Sequence, residues 1–144
     1  MKTINPKRTV VISCIISFAL PLIYTYIIGF LNTHPLALLF YMALGFSVFD
    51  TISAIFLIAQ IVRLKKNRIL LSTSTRSIIA LLLFLDIGFV SYVIMFFIGI
   101  FLLQIGGFYA NYLGIGAAIL ISIFTVIPLI RTIPRQPKTN LGQS

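Results

Sequence analysis

Four long apolar runs constrain this chain more than any other feature of its sequence. They cover about residues 9–31, 36–62, 77–103 and 108–130, and none contains a lysine, arginine or histidine. A helix rises about 1.5 Å per residue, so about 20 apolar residues cross the roughly 30 Å hydrocarbon core of a bilayer. Only 9% of the residues are charged, whereas a soluble domain carries about a quarter. The runs predict an all-α integral membrane protein with four transmembrane helices.

Short polar breaks separate these runs. The segments 32–35 and 104–107 are tight turns, and 63–76 is a longer basic loop that contains N-cap residues at 72–75. Such short connections predict an up-down antiparallel bundle that forms one domain over residues 1–131. The polar, proline-containing segment 132–144 is expected to be a flexible cytoplasmic tail.

The basic residues predict the orientation of the bundle. All eleven lysines and arginines lie in the N-terminal segment, the middle loop or the tail, and the two tight turns have none. Cytoplasmic segments carry the Lys/Arg excess, so we expect both termini and the middle loop on the cytoplasmic side of the plasma membrane. Outside the middle loop these residues are Lys2, Lys7, Arg8, Arg131, Arg135 and Lys138.

The basic middle loop is also expected to contact lipid. The net charge of +9 does not indicate nucleic-acid binding, because the basic residues flank apolar runs. Anionic headgroups attract such residues by about 1 kcal/mol each, and the apolar segment 69–71 suggests that the loop lies on the membrane. The predicted headgroup contacts are Arg63, Lys65, Lys66, Arg68 and Arg76.

Small residues recur at every fourth position in the first and fourth runs. Helices in lipid associate through close packing of small residues and through polar contacts, so these ridges predict helix interfaces. The alternative is a ligand groove lined by small side chains. Besides Pro21, the ridge residues are Ser13, Ser17, Thr25 and Gly29 in the first run, and Ala110, Gly114, Ala118 and Ser122 in the fourth.

Asp50 and Asp86 are the only two acidic residues, and each lies inside an apolar run. An aspartate at the centre of a spanning helix costs about 2.5–3.5 kcal/mol on insertion scales, so it is a candidate functional residue. The two lie at comparable depths, and neighbouring antiparallel helices would bring them close. With no cation inside any run, we expect at least one carboxyl group to be protonated at neutral pH.

Three interpretations of the aspartates are open. They are hydrogen-bonding groups that hold helices together, or they bind a proton or cation during transport, or one docks a basic residue of a partner membrane protein. Asp50 is expected to be the more sensitive of the two. The candidate polar neighbours are Ser47, Thr51, Ser53, Tyr92 and Asn111.

The sequence does not indicate an enzyme. Leu83-Phe-Leu85 precedes Asp86, which departs from the Gly-x-Gly-Asp signature of intramembrane aspartyl proteases, and His34 is an isolated histidine in a turn. No metal-ligand spacing or cofactor motif is present in the sequence.

Two functions are therefore considered. The leading interpretation is a non-enzymatic accessory, regulatory or immunity-type subunit that acts within the bilayer through helix packing. The alternative is a small proton- or cation-coupled transporter that uses the two aspartates. The expected partners are the lipid bilayer and either further copies of the chain, as a homo-oligomer, or another membrane protein.

Overall fold

The computed structural model describes residues 6–31 and 34–133, and this part of the chain is helical without β-strands. The predicted tail therefore lies almost entirely outside the described residues. The helices are α1 (Pro6–Cys14), α2 (Leu20–Leu31), α3 (Pro35–Lys66), α4 (Thr73–Phe97) and α5 (Gly107–Arg131), with π-helical segments at Ile15–Ala19 and Ile98–Leu102.

Four helical stretches are long and apolar enough to cross a membrane, which identifies a membrane protein. We call them the first span (Lys7–Leu31), the second span (Ala37–Lys66), the third span (Thr73–Leu102) and the fourth span (Gly107–Arg131). Their outward surface is apolar: Phe30 and Phe124, for example, are 84% and 75% exposed. Lipid tails rather than a protein core solvate such side chains.

The basic loop is shorter than the sequence predicts, because both flanking helices extend into it. The second span continues to Lys66, and the third begins at Thr73. A helix need not end where the hydrocarbon ends, and basic residues in its last turn interact favourably with its dipole. The predicted N-cap is confirmed at Ser72, whose Oγ accepts a hydrogen bond of 3.3 Å from the backbone N–H of Thr75.

A π-helical segment interrupts the first span just before Pro21. The N–H of Leu20 bonds to the carbonyl of Ile15, one residue further back than in an α-helix. Proline has no N–H to donate to the carbonyl of Ser17, and a local π-bulge is a common adjustment in an otherwise continuous helix. Pro21 itself is buried.

The third span packs against the other three. Its contacts with the fourth span involve Arg76 at one end, where the side chain reaches the carbonyl of Ile130. Further along, an added Cβ at Gly88 would lie 3.1 Å from the Ser122 hydroxyl, and one at Gly99 would lie 3.0 Å from the Ala110 Cβ. Glycines thus permit the close approach of these two helices.

The apolar core lies at the end of the bundle that carries the basic loop. Leu71 is only 2% exposed and Ile69 packs against the same cluster. The expectation that segment 69–71 lies on the membrane surface is therefore wrong for these two side chains, because the core offers them a more complete apolar contact. Other members are Leu57, Ile61, Leu64, Ile79, Leu83, Val126 and Ile133.

Candidate functional site

Asp50 of the second span and Asp86 of the third line the same cavity, which has a volume of about 220 Å³. Both side chains are buried, with exposed fractions of 6% and 1%. The structure therefore brings together the only two acids of the chain. The remaining lining residues are Ser17, Phe18, Phe46, Leu85 and Phe89.

Residues of two neighbouring helices surround Asp86. Ser17 of the first span and Asp50 of the second line the cavity together with Asp86. The Oδ2 atom of Asp86 is buried without a hydrogen-bond partner among the residues that the structure describes. An unpaired buried acceptor is expensive, so this atom marks a place where a further donor or a cation would be stabilised.

Three serine hydroxyl groups form a buried network beside Asp86. The Oγ atoms of Ser13 and Ser53 are 2.6 Å apart, and Ser17 Oγ lies 2.8 Å from Ser53 Oγ and 3.0 Å from the carbonyl of Ser13. Each hydroxyl has one proton and two lone pairs. Ser17 can therefore donate to only one of its neighbours at a time, and the network can reorient as the charge of the carboxyl group changes.

Local sequence explains how the first span reaches this site. Ser13 and Ser17 are four residues apart and so lie on one face of the helix. Ser17 is also in the π-helical segment that precedes Pro21, and π-bulges occur frequently at functional sites. The ridge of small residues thus supplies hydroxyl groups as well as close packing.

Phenylalanine rings form much of the remaining cavity wall. Phe46 and Phe89 are in contact across the second and third spans, with ring centroids 5.9 Å apart. Phe18 of the first span contributes a third ring to the lining, and Leu85 is the one aliphatic lining residue. The two carboxyl groups therefore share the cavity with three aromatic rings and with the hydroxyl group of Ser17.

The other predicted polar neighbours of the aspartates lie elsewhere. Ser47 donates to the carbonyl of Ala43 (2.8 Å) and Thr51 donates to the carbonyl of Ser47 (2.7 Å), so both bond within their own helix. Tyr92 donates to the side-chain oxygen of Asn111 (2.7 Å), which joins the third and fourth spans. Of the five candidate neighbours, Ser53 is the one that belongs to the buried serine network beside the cavity.

The predicted packing ridges differ in burial along their length. In the first span Ser13 and Ser17 are buried, Thr25 is half-buried and Gly29 is exposed. In the fourth span Ala118 is half-buried, whereas Ala110, Gly114 and Ser122 are buried.

Arg76 differs from the other predicted lipid contacts. Arg63, Lys65, Lys66 and Arg68 are exposed, but Arg76 is only 7% exposed. Its Nη2 donates a 2.5 Å hydrogen bond to the carbonyl of Ile130, an interaction that stabilises the end of a helix. The guanidinium group of Arg76 is therefore engaged at a helix terminus, and headgroup contact by the five basic residues stays a prediction.

Sequence reasoning missed the glycine contacts of the second and third spans and the aromatic lining of the cavity. An added Cβ at Gly45 would overlap the ring of Tyr24, which packs directly on the glycine. A glycine inside a long apolar helix is the available signal, since it is unfavourable there without a packing reason.

The chemistry that this arrangement permits is binding of a proton or a monovalent cation. Among the described residues no group of three or more His, Cys, Asp or Glu side chains could hold a metal ion. Carboxylate and hydroxyl oxygens do suit a proton or a singly charged cation, because protonation of one carboxyl group leaves a single negative charge on the pair.

Comparison with known proteins does not assign a family. The chain matches no protein-family model, and it has no significant match among curated proteins or solved structures.

Proposed function

We propose that this membrane protein binds a proton or a small cation at Asp50 and Asp86 and exchanges it across the bilayer, as a small proton- or cation-coupled transporter. The observation that carries this proposal is that the two acids, whose side chains are both buried, line one cavity.

The electrostatics of the spans support a bound positive charge. None of the four apolar runs of the sequence contains a Lys, Arg or His, and an isolated buried carboxylate is strongly disfavoured. A proton or cation therefore has to neutralise the pair. The unpaired Oδ2 of Asp86 and the reorientable hydroxyl of Ser17 are ligands that such an exchange can use.

The proposal includes an up-down antiparallel arrangement with both termini in the cytoplasm. Its support is the order of contacts between the third and fourth spans: Arg76 meets Ile130, Gly88 approaches Ser122, and Gly99 approaches Ala110. Residue numbers rise along one span as they fall along the other. The Lys/Arg excess at the loop end supports the cytoplasmic assignment.

Transport in proteoliposomes tests the proposal. Vesicles that contain the purified protein and an internal pH indicator are exposed to an outward or inward gradient of monovalent cations. Asp50→Asn and Asp86→Asn should each abolish the cation-dependent pH change, because an amide cannot change charge. Thr51→Val is the matched control, since Thr51 is exposed and bonds within its own helix. Wild-type rates in the Asp50→Asn, Asp86→Asn double variant would contradict the proposal.

A second candidate function is an accessory, regulatory or immunity-type subunit, and one observation favours it. An apolar groove of about 670 Å³ lies between the second and third spans, with Ser47 and Thr51 as its polar members. A transmembrane helix of a second copy or of another membrane protein would fill such a groove. Its apolar lining residues are Phe40, Leu44, Val48, Ile52, Val90, Val93, Ile94 and Phe97.

Filling the groove tests this second function. Val48→Trp should block a helix from entering and reduce cross-linking between copies in native membranes, whereas Ile121→Trp on the exposed face of the fourth span should not. If Val48→Trp abolishes the effect of the protein in cells and the Asp→Asn variants retain that effect, the accessory function is favoured over transport.

A further inference from the structure

We infer that the cavity between the first three spans is a site for a small organic ammonium ion, and that such an ion is the cargo of the transporter. The inference rests on the proposed function, because it names the cation that Asp50 and Asp86 bind. It depends on three observations: the volume of the cavity, its aromatic wall and the unpaired carboxyl oxygen.

The volume exceeds what a bare metal cation fills. A cavity of about 220 Å³ is several times larger than the roughly 30 Å³ that one water molecule takes up in the liquid. A dehydrated monovalent ion would touch the carboxyl groups and leave most of this space empty. An ammonium ion that carries a few carbon atoms has the size that the cavity accommodates.

The wall chemistry selects an ion with an apolar surface. Phe18, Phe46 and Phe89 contribute three aromatic rings. The negative face of an aromatic ring attracts a cation, and aromatic cages recognise alkylated ammonium groups. An inorganic cation would have to shed its hydration water to contact these rings, and the rings offer no hydrogen bonds in exchange. The alkyl groups of an organic ion instead pack against the rings.

The carboxyl groups provide the charge that such an ion requires. Asp86 is 1% exposed and its Oδ2 has no hydrogen-bond partner among the described residues. The titratable groups that line the cavity are Asp50 and Asp86, and Ser17 is the one lining hydroxyl. When the ammonium ion enters, a proton leaves the pair, so the positive charge at the site is conserved.

Binding of choline, with its uncharged isostere 3,3-dimethylbutan-1-ol as comparison, tests the inference. Equilibrium dialysis of labelled choline against the purified full chain in detergent should show saturable binding. The alcohol and Na⁺ should displace the bound choline only weakly. Phe46→Leu and Phe89→Leu keep an apolar side chain but remove the ring, and each should weaken binding about tenfold. Phe124→Leu, on the exposed surface of the fourth span, should bind as the wild type does.

The outcomes separate the cargo from the proposed function. Equal binding of choline and the alcohol, or full choline binding by Phe46→Leu and Phe89→Leu, would overturn the ammonium site. Absence of choline binding together with an intact Na⁺-dependent pH change in vesicles would overturn the cargo and leave proton–cation exchange standing. If Asp50→Asn and Asp86→Asn bind choline like the wild type, the ammonium site at these aspartates is wrong.

Discussion

The hydroxyl group of Ser17 donates to that of Ser53 across the first and second spans, with 2.8 Å between the two oxygens. Ser17 also lines the cavity that contains Asp86 of the third span. One small network therefore joins two helices and reaches the wall of the cavity. Helix association and ligand binding depend here on the same side chains, so each must be measured separately in any variant.

Replacing Ser53 tests how much this network stabilises the bundle. Ser53→Ala removes the hydroxyl that bonds to Ser13 and Ser17, and it leaves buried partners unpaired. We expect a loss of about 1–2 kcal/mol in the free energy of unfolding, measured by thermal unfolding in detergent. Thr51→Ala, an exposed position that bonds within its own helix, should change it little. Equal stability of the two variants would mean that the network contributes nothing.

No side chain should fit at Gly45 unless the ring of Tyr24 moves. A Cβ at Gly45 would overlap the Tyr24 ring, and overpacking of this kind costs about 1–3 kcal/mol. Gly45→Ala should therefore lower the unfolding temperature. Gly116→Ala is the matched control, because both positions lie inside long helices and nothing is within 4 Å of a Cβ at Gly116. A Gly45→Ala protein as stable as the control would show that the ring moves without cost.

The fourth span offers a second matched pair. A Cβ at Gly114 would lie 2.8 Å from the Tyr92 ring and 3.0 Å from the Tyr92 carbonyl oxygen, whereas Gly116 faces open space. Gly114→Leu should separate the third and fourth spans and break the bond from Tyr92 to Asn111, but Gly116→Leu should not. Gel filtration and melting in detergent distinguish the two. Similar behaviour of both variants would place this ridge against lipid.

The orientation is tested by labelling single cysteines in a Cys14→Ser background. Asn67 and Gly106 are exposed at opposite ends of the third span, and the Lys/Arg distribution puts the Asn67 end in the cytoplasm. An impermeant thiol reagent added to intact cells should label Gly106→Cys, and Asn67→Cys should react only after the cells are opened. Labelling of Asn67→Cys in intact cells would reverse the proposed orientation.

The sequence predicts the helices of this protein better than its site. Apolar run length alone locates four spans, because the bilayer imposes that length. The length of an apolar run does not reveal how its helix is rotated about its axis. Only the structure shows that Asp50 and Asp86 share a cavity and that Tyr24 packs on Gly45. Ser13 and Ser17 were predicted as packing residues from their spacing, yet spacing does not reveal that they bond to Ser53. The sequence groups Arg76 with its exposed basic neighbours, because nothing in the sequence places the end of the fourth helix next to the Arg76 side chain.

Proton release on cation binding tests the central claim, that Asp50 and Asp86 form one exchangeable cation site. Purified protein in weakly buffered detergent solution is mixed with an excess of choline chloride or sodium chloride, and a pH indicator records released protons. Wild-type protein should release protons saturably with choline concentration and only weakly with sodium, and Asp50→Asn, Asp86→Asn and the double variant should release none. Release from the double variant equal to that of the wild type, or no release from any form, would contradict the account.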